Sequence, residues 1–258
     1  MHDGLKRIVT GDEPTIGSWL TIGSTVTAEI MANAGFDWLV VDMEHSAVTL
    51  DMAQEMIRVV DLCGTPPLVR VGHNQPNLIK RVMDCGAHGV IVPQVNSREE
   101  AEQAVASVKY PPRGFRGVGL ARAQGYGYGF EKYKQWNDEN SVVIVQIEHI
   151  DAVRDMEAIV DVPGVDGFLV GPYDLSGSLG VPGQFDHPEV KRALERVMEV
   201  AAERDVAAGF HVIPPRMEAV QERLDQGYRF VACSLDSMFL GAGSRKIADE
   251  FRLTKEPS

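Results

Sequence analysis

Short apolar runs alternate with longer amphipathic stretches almost without a break along this chain. Runs at 16–21, 38–42, 67–71, 89–92, 142–147, 167–170, 207–211 and 230–234 are largely apolar at successive positions, as strands covered on both faces are. The stretch 51–62 has Met52, Met56, Val59, Val60 and Cys63 at three- and four-residue spacing and stops at Gly64, which predicts a helix. Comparable helical patterns occupy 77–85, 98–108, 152–160, 188–203, 215–226 and 244–251. Eight strands with helical patterns between them predict a single-domain α/β protein, a (β/α)8 TIM barrel spanning 1–258. A short helix at 5–10 plugs its bottom and a helical tail closes the C-terminal end. A doubly wound open sheet is the alternative. Against it stand the eight units and the lack of a Gly-x-Gly-x-x-Gly turn after the first strand.

One connection, 111–140, is far longer than the rest and carries Arg116, Arg122 and Gly125-Tyr126-Gly127-Tyr128-Gly129. Ordered loops of this length usually have a role, so the expectation is a lid or subunit contact that shapes a substrate mouth. The glycines do not form a phosphate loop, because no Lys-Ser/Thr pair follows them.

Net charge changes the picture more than composition does. At −12 the chain lacks the basic surface that nucleic acid or an anionic membrane would require. No run of 18 apolar residues occurs. Three cysteines without ligand-like spacing fit buried thiols in a reducing cytoplasm.

The candidate chemistry sits where strands end. Val145-Gln146-Ile147-Glu148 and the later Gly171-Pro172-Tyr173-Asp174 are apolar runs that close on carboxylates. At the C-terminal rim of a barrel, Glu148 and Asp174 are placed to share a hard divalent cation such as Mg²⁺, Mn²⁺ or Co²⁺. Asp42, Glu44 and His45 follow the second run. His45 is the general-base candidate and Asp42 the residue that orients its ring. Arg70 ends the third run, where an arginine needs a partner or a polar cavity, and is read as a clamp on a developing oxyanion. No lysine ends a strand in these motifs, which disfavours Schiff-base chemistry. A non-catalytic metal-binding barrel is the alternative from another class.

These motifs resemble the HpcH/HpaI aldolases, a family of metal-dependent pyruvate aldolases. The resemblance runs over most of the chain and rests on Asp42-x-Glu44-His45-Ser46, Leu68-Val69-Arg70-Val71, Gly86-Ala87-His88-Gly89, Gln146-Ile147-Glu148 and Gly171-Pro172-x-Asp174-Leu175-Ser176. It implies a lyase that cleaves a 4-hydroxy-2-oxo acid to pyruvate and an aldehyde, assembled as a homo-oligomer, a hexamer. It implies metal ligation by Glu148 and Asp174, acid–base work by His45 with Asp42, and enolate stabilisation by Arg70. Gln146 and the amides of Tyr173 and Asp174 are implied near the substrate, and Asp84 is implied to reach the histidine across an interface. Ser46-Ala47-Val48-Thr49 and Leu120-Ala121-Arg122-Ala123-Gln124 depart from the family pattern, which leaves the aldehyde open and makes Arg122 a candidate aldehyde contact. An oxaloacetate-type decarboxylase or a CoA-ester lyase would use the same scaffold.

Overall fold

The computed structural model describes residues 4–253, so both extremities of the expected 1–258 domain lie outside the described residues. Eight parallel strands pair in sequence order into a closed barrel: β1 (Thr15–Leu20), β2 (Trp38–Asp42), β3 (Pro67–Arg70), β4 (Gly89–Val92), β5 (Val142–Ile147), β6 (Gly167–Val170), β7 (Ala207–Val212) and β8 (Phe230–Leu235). Each overlaps an expected run, and closure of β1 on β8 excludes the open sheet. The helices are α1 (Leu5–Thr10), α2 (Thr25–Ala32), α3 (Leu50–Leu62), α4 (Pro76–Cys85), α5 (Arg98–Val108), α6 (Phe130–Asn140), α7 (Ile150–Arg154), α8 (Met156–Val160), α9 (Pro172–Ser178), α10 (Pro188–Arg204), α11 (Met217–Asp225) and α12 (Asp236–Leu253). The expected 152–160 helix is broken at Asp155, whose φ of −100° and ψ of 14° are not helical and whose carboxylate accepts from the Arg98 amide.

Strand pleating explains the core. Successive side chains face opposite ways, so inward positions of neighbouring strands stack in layers inside the barrel. Trp19, Trp38, Val40, Leu68, Ile91, Ile144, Leu169 and Phe230 fill this interior, and Leu5 and Val9 of α1 join them. The expected plug is therefore present. Gly17 is small for a reason: a Cβ there would lie 2.2 Å from the Trp38 ring. Two residues beyond Val40, Leu68 and Ile144, the same inward rows reach Asp42, Arg70 and Gln146. Packing and chemistry thus share one periodicity, with apolar rows below and polar ends above.

The 111–140 connection departs from expectation in both form and place. It holds a short 3-10 turn at Arg122–Gly127 and the helix α6, and it joins the end of α5 to the start of β5. That is the foot of the barrel, opposite the strand ends that carry Glu148 and Arg70. Arg116 is buried there, donating to Asp84 at 2.6 Å and to the Tyr133 hydroxyl at 2.9 Å, with its guanidinium 4.7 Å from the Tyr110 ring. Lys109 spans the same lobe, its Nζ donating to Asn137 O and Ser141 Oγ, each at 2.7 Å. Within its own chain this segment does not cover the mouth. Of the three thiols, Cys85 and Cys233 are buried as expected and Cys63 is half-buried. Among the described residues no helix is long and apolar enough to cross a membrane.

Candidate active site

Arg70 organises the mouth. Its Nε donates to Asp42 Oδ1 at 2.9 Å and its Nη2 to Asp42 Oδ2 at 2.7 Å, a forked pair that is almost dry. Nη1 lies 3.2 Å from Glu44 Oε2, and the guanidinium sits 4.3 Å from the centre of the Trp19 ring. Of five N–H donors the fork uses two, so Arg70 retains donors for a further acceptor. Burial works to raise the Asp42 pKa, but the bonds and charge of Arg70 outweigh it and hold that carboxyl below its ordinary value.

The Asp42 carboxylate does not hold the His45 ring. Its Oδ1 accepts instead from the backbone amides of Glu44 at 3.0 Å and His45 at 3.3 Å, a turn that ends β2. The imidazole is exposed, with Nε2 3.8 Å from Glu44 Oε2. The forked grip of Arg70 occupies both Asp42 oxygens, so the acid beside His45 in this chain is Glu44.

Glu148 lies just past β5 and is 5% exposed. Oε1 accepts from the Gln94 amide at 2.7 Å, and Oε2 accepts from the Gln146 side chain. Burial, with Glu44 and Asp174 nearby, pushes its pKa up to about 7 against the lowering effect of the Gln94 bond. Burial likewise raises Glu44, with Arg70 and His45 opposing and Asp42 and Asp174 adding to the rise. Asp174 stands exposed on the first turn of α9, close enough to act on both acids. Tyr173 and Asp174 also place two of the free amides of that helix start at the rim.

Gln94 and the part that Gly171 plays beside Glu148 come from the structure. Gln94 holds φ at +53°, an uncommon conformation for a side-chain-bearing residue, and this turn is what aims its amide at Glu148. Gly171 leaves room for that carboxylate, since a Cβ there would meet Glu148 Cβ at 2.7 Å and Oε2 at 2.9 Å. A positive φ at glutamine has no sequence signature, whereas a glycine directly after a buried strand is a detectable one.

The structure does not bring every expected residue to the mouth. Asp84, near the C-terminal end of α4, is bonded to Arg116 and to Gln124 at the foot. Arg122 donates to Asp61 at 2.5 Å and to the Cys85 carbonyl at 3.3 Å. Neither meets His45 or Glu148 within this chain. Either could approach a mouth only if it were another subunit's, because the αβ connection that carries Arg122 returns to the bottom of its own barrel.

Two carboxylates, Asp42 and Glu44, thus pair with the Arg70 guanidinium, and Glu44 in turn lies near Glu148 and Asp174. Among the described residues no three His, Cys, Asp or Glu side chains converge as a complete cation site. The donor set nevertheless fits a hard divalent cation held by two carboxylates, the remaining positions falling to water and substrate oxygens. The acid excess and the raised Glu148 pKa both indicate a site that lacks positive charge.

Residues 15–241 match the model of the HpcH/HpaI aldolase/citrate lyase family. The chain belongs to that family. A relative from Roseobacter denitrificans named hydroxypyruvate/pyruvate aldolase is 34% identical over 96% of both chains. A 4-hydroxy-2-oxo-heptane-1,7-dioate aldolase from Escherichia coli is 34% identical over 97% of this chain and 95% of its own. The crystal structure of a HpcH/HpaI aldolase/citrate lyase family protein from Burkholderia cenocepacia superimposes with a TM-score of 0.91 at 35% identity, covering 97% of this chain and all of the other. As a member of the HpcH/HpaI family this chain is a lyase, and its barrel is the family's barrel.

Proposed function

We propose that this lyase is a divalent-metal-dependent aldolase that splits a 4-hydroxy-2-oxo acid into a pyruvate-type 2-oxo acid and an aldehyde, and runs the addition in reverse. The observation that carries the proposal is the gathering of Glu44 and Asp174 about a buried Glu148, with Glu44 paired to a guanidinium that has donors to spare. Glu148 and Asp174 would hold Mg²⁺, Mn²⁺ or Co²⁺, which when bound supplies Lewis-acid polarisation of the 2-oxo group. Gln146 fixes the Glu148 carboxylate, and the α9 amides at Tyr173 and Asp174 suit the substrate carboxylate.

In cleavage, His45 takes the proton of the C4 hydroxyl. The C3–C4 bond breaks, its electron pair passes into the enolate of the departing 2-oxo acid, and the aldehyde leaves. Arg70 donates to the enolate oxygen. That charge develops only as the bond breaks, so the interaction lowers the barrier rather than only tightening binding. His45 then returns its proton to C3 of the enolate. Assembly as a homo-oligomer would let Asp84 and Arg122 of a neighbouring subunit approach His45 and the aldehyde.

The test is a panel of aldehydes with pyruvate or hydroxypyruvate, run with and without Mg²⁺, Mn²⁺ and Co²⁺, beside oxaloacetate decarboxylation. Metal-dependent carbon–carbon bond formation is expected. Decarboxylation without any aldol product would reassign the enolate to a decarboxylase.

A further inference from the structure

His211 is a titratable group that the mechanism above does not use, yet it faces the same space. On β7 the inward row runs Ala207, Gly209, His211, while Ala208, Phe210 and Val212 pack outward against the helices. The imidazole stacks on Trp19, with ring centres 4.9 Å apart and planes at 19°. Trp19 is the ring on which Arg70 rests. Arg70 and His211 therefore pack on the same buried ring and are neighbours at the mouth.

The tautomer of that histidine is fixed. Nε2 lies 2.9 Å from the Ser234 carbonyl oxygen, which can only accept, so Nε2 carries the proton. Ser234 has a φ of +54°, and the β1–β8 register shifts beside it. Burial pulls the His211 pKa down to about 4, with Arg70 adding to the fall and the Ser234 bond opposing it. The ring is therefore neutral at ordinary pH, and Nδ1 is a bare acceptor. Nδ1 has no partner among the described residues, and it is not one of the buried polar atoms sealed without one. The acceptor opens to the mouth.

We propose that His211 is a specificity-determining residue whose Nδ1 accepts a hydrogen bond from a hydroxyl on C3 of the 2-oxo acid, so that the site favours 3-hydroxy-2-oxo acids over their unsubstituted counterparts. The inference rests on the aldolase reading. With the 2-oxo oxygen on Arg70, C3 is one bond from the carbon that carries it and comes within reach of the neighbouring His211. An apolar side chain there would suit a methyl group. A side chain presenting a lone pair leaves that acceptor unmatched by a methyl and matched by a hydroxymethyl.

The experiment follows exchange of the C3 protons with D2O by NMR, for pyruvate and for hydroxypyruvate, on the Mn²⁺-supplemented enzyme without aldehyde. Wild-type kcat/KM should favour hydroxypyruvate. In His211→Leu the hydroxypyruvate-to-pyruvate ratio should fall about 10-fold or more, as loss of one hydrogen bond to a buried hydroxyl predicts. His211→Asn, which offers an acceptor near the position of Nδ1, should retain a higher ratio than His211→Leu. A wild-type preference for pyruvate, or an unchanged ratio in His211→Leu, overturns the assignment while leaving the aldolase intact. No exchange with either acid in the wild-type enzyme overturns the aldolase reading and this inference together.

Discussion

Replacing Gly171 by alanine puts one methyl group against the side chain on which the proposed cation site depends. The new Cβ would lie 2.7 Å from Glu148 Cβ, 2.9 Å from its Oε2 and 3.4 Å from Gln146 Nε2. Carbon atoms prefer about 3.5–4.0 Å, so relief requires Glu148 or the strand end to move by on the order of 1 Å. The Gly171 backbone, with φ −103° and ψ 83°, is not left-handed, so alanine adds crowding without a positive-φ penalty. Overpacking of this kind costs about 1–3 kcal/mol of stability, less than unfolding the barrel requires. The catalytic cost is larger in proportion, because a displacement of about 1 Å at a reacting site can remove roughly 10²-fold in rate. Mn²⁺ titration followed by electron paramagnetic resonance should show weakened binding, alongside the rate loss and a preserved circular dichroism spectrum. Gly177→Ala, whose Cβ meets nothing within 4 Å, is the matched control. Wild-type Mn²⁺ affinity and rate in Gly171→Ala would refute the claim that Glu148 must sit where it does.

Arg70→Lys keeps the charge but loses the forked bond to Asp42 and the flat contact with Trp19, so aldol cleavage should fall by about 10-fold or more. Cleavage at the wild-type rate would leave Arg70 as a structural ion pair only. His45→Ala should lose roughly 10²–10⁴ in the rate of C4–OH deprotonation while still binding metal, and an unchanged turnover number would move the base elsewhere. His211, held neutral by burial with a pKa near 4 against 6.5 when free, makes folding acid-sensitive. Its contribution is complete above pH 6.5 and is lost as pH falls toward 4, on the order of 3 kcal/mol at most. Melting temperature in His211→Phe should thus vary less over that interval than in wild type, and parallel curves would contradict the assignment.

Much of the barrel is legible in the sequence because parallel strands packed on both faces are nearly continuous apolar runs, and here each run survives as a strand. α6 is not legible. Its buried face is only Tyr133, Trp136 and Asn137 on an otherwise polar helix, and its packing against Tyr110 is a tertiary fact. The carboxylates and Arg70 stand out because charge at the end of an apolar run is costly unless it is used. Their pairing does not: Asp42 lies within reach of His45 in sequence, yet β2–β3 register sets it directly beside Arg70. Arg116 and Arg122 look like mouth residues by their charge and loop setting, although the order strand, helix, connection already points their segment to the foot, where the structure places it. Trp19 and His211 hide, since inward apolar or aromatic positions read as core until the layer they occupy is seen.

The most direct test of the central claim is solvent deuterium exchange into the methyl group of pyruvate, with no aldehyde present, before and after removal of divalent cations. Exchange isolates enolate formation from every question about the aldehyde. The proposed mechanism predicts exchange that disappears with a chelator, returns with Mg²⁺, Mn²⁺ or Co²⁺, and is lost in Glu148→Ala and Asp174→Ala proteins that keep their circular dichroism spectrum. Undiminished exchange in the metal-free enzyme, or in Glu148→Ala, would contradict it.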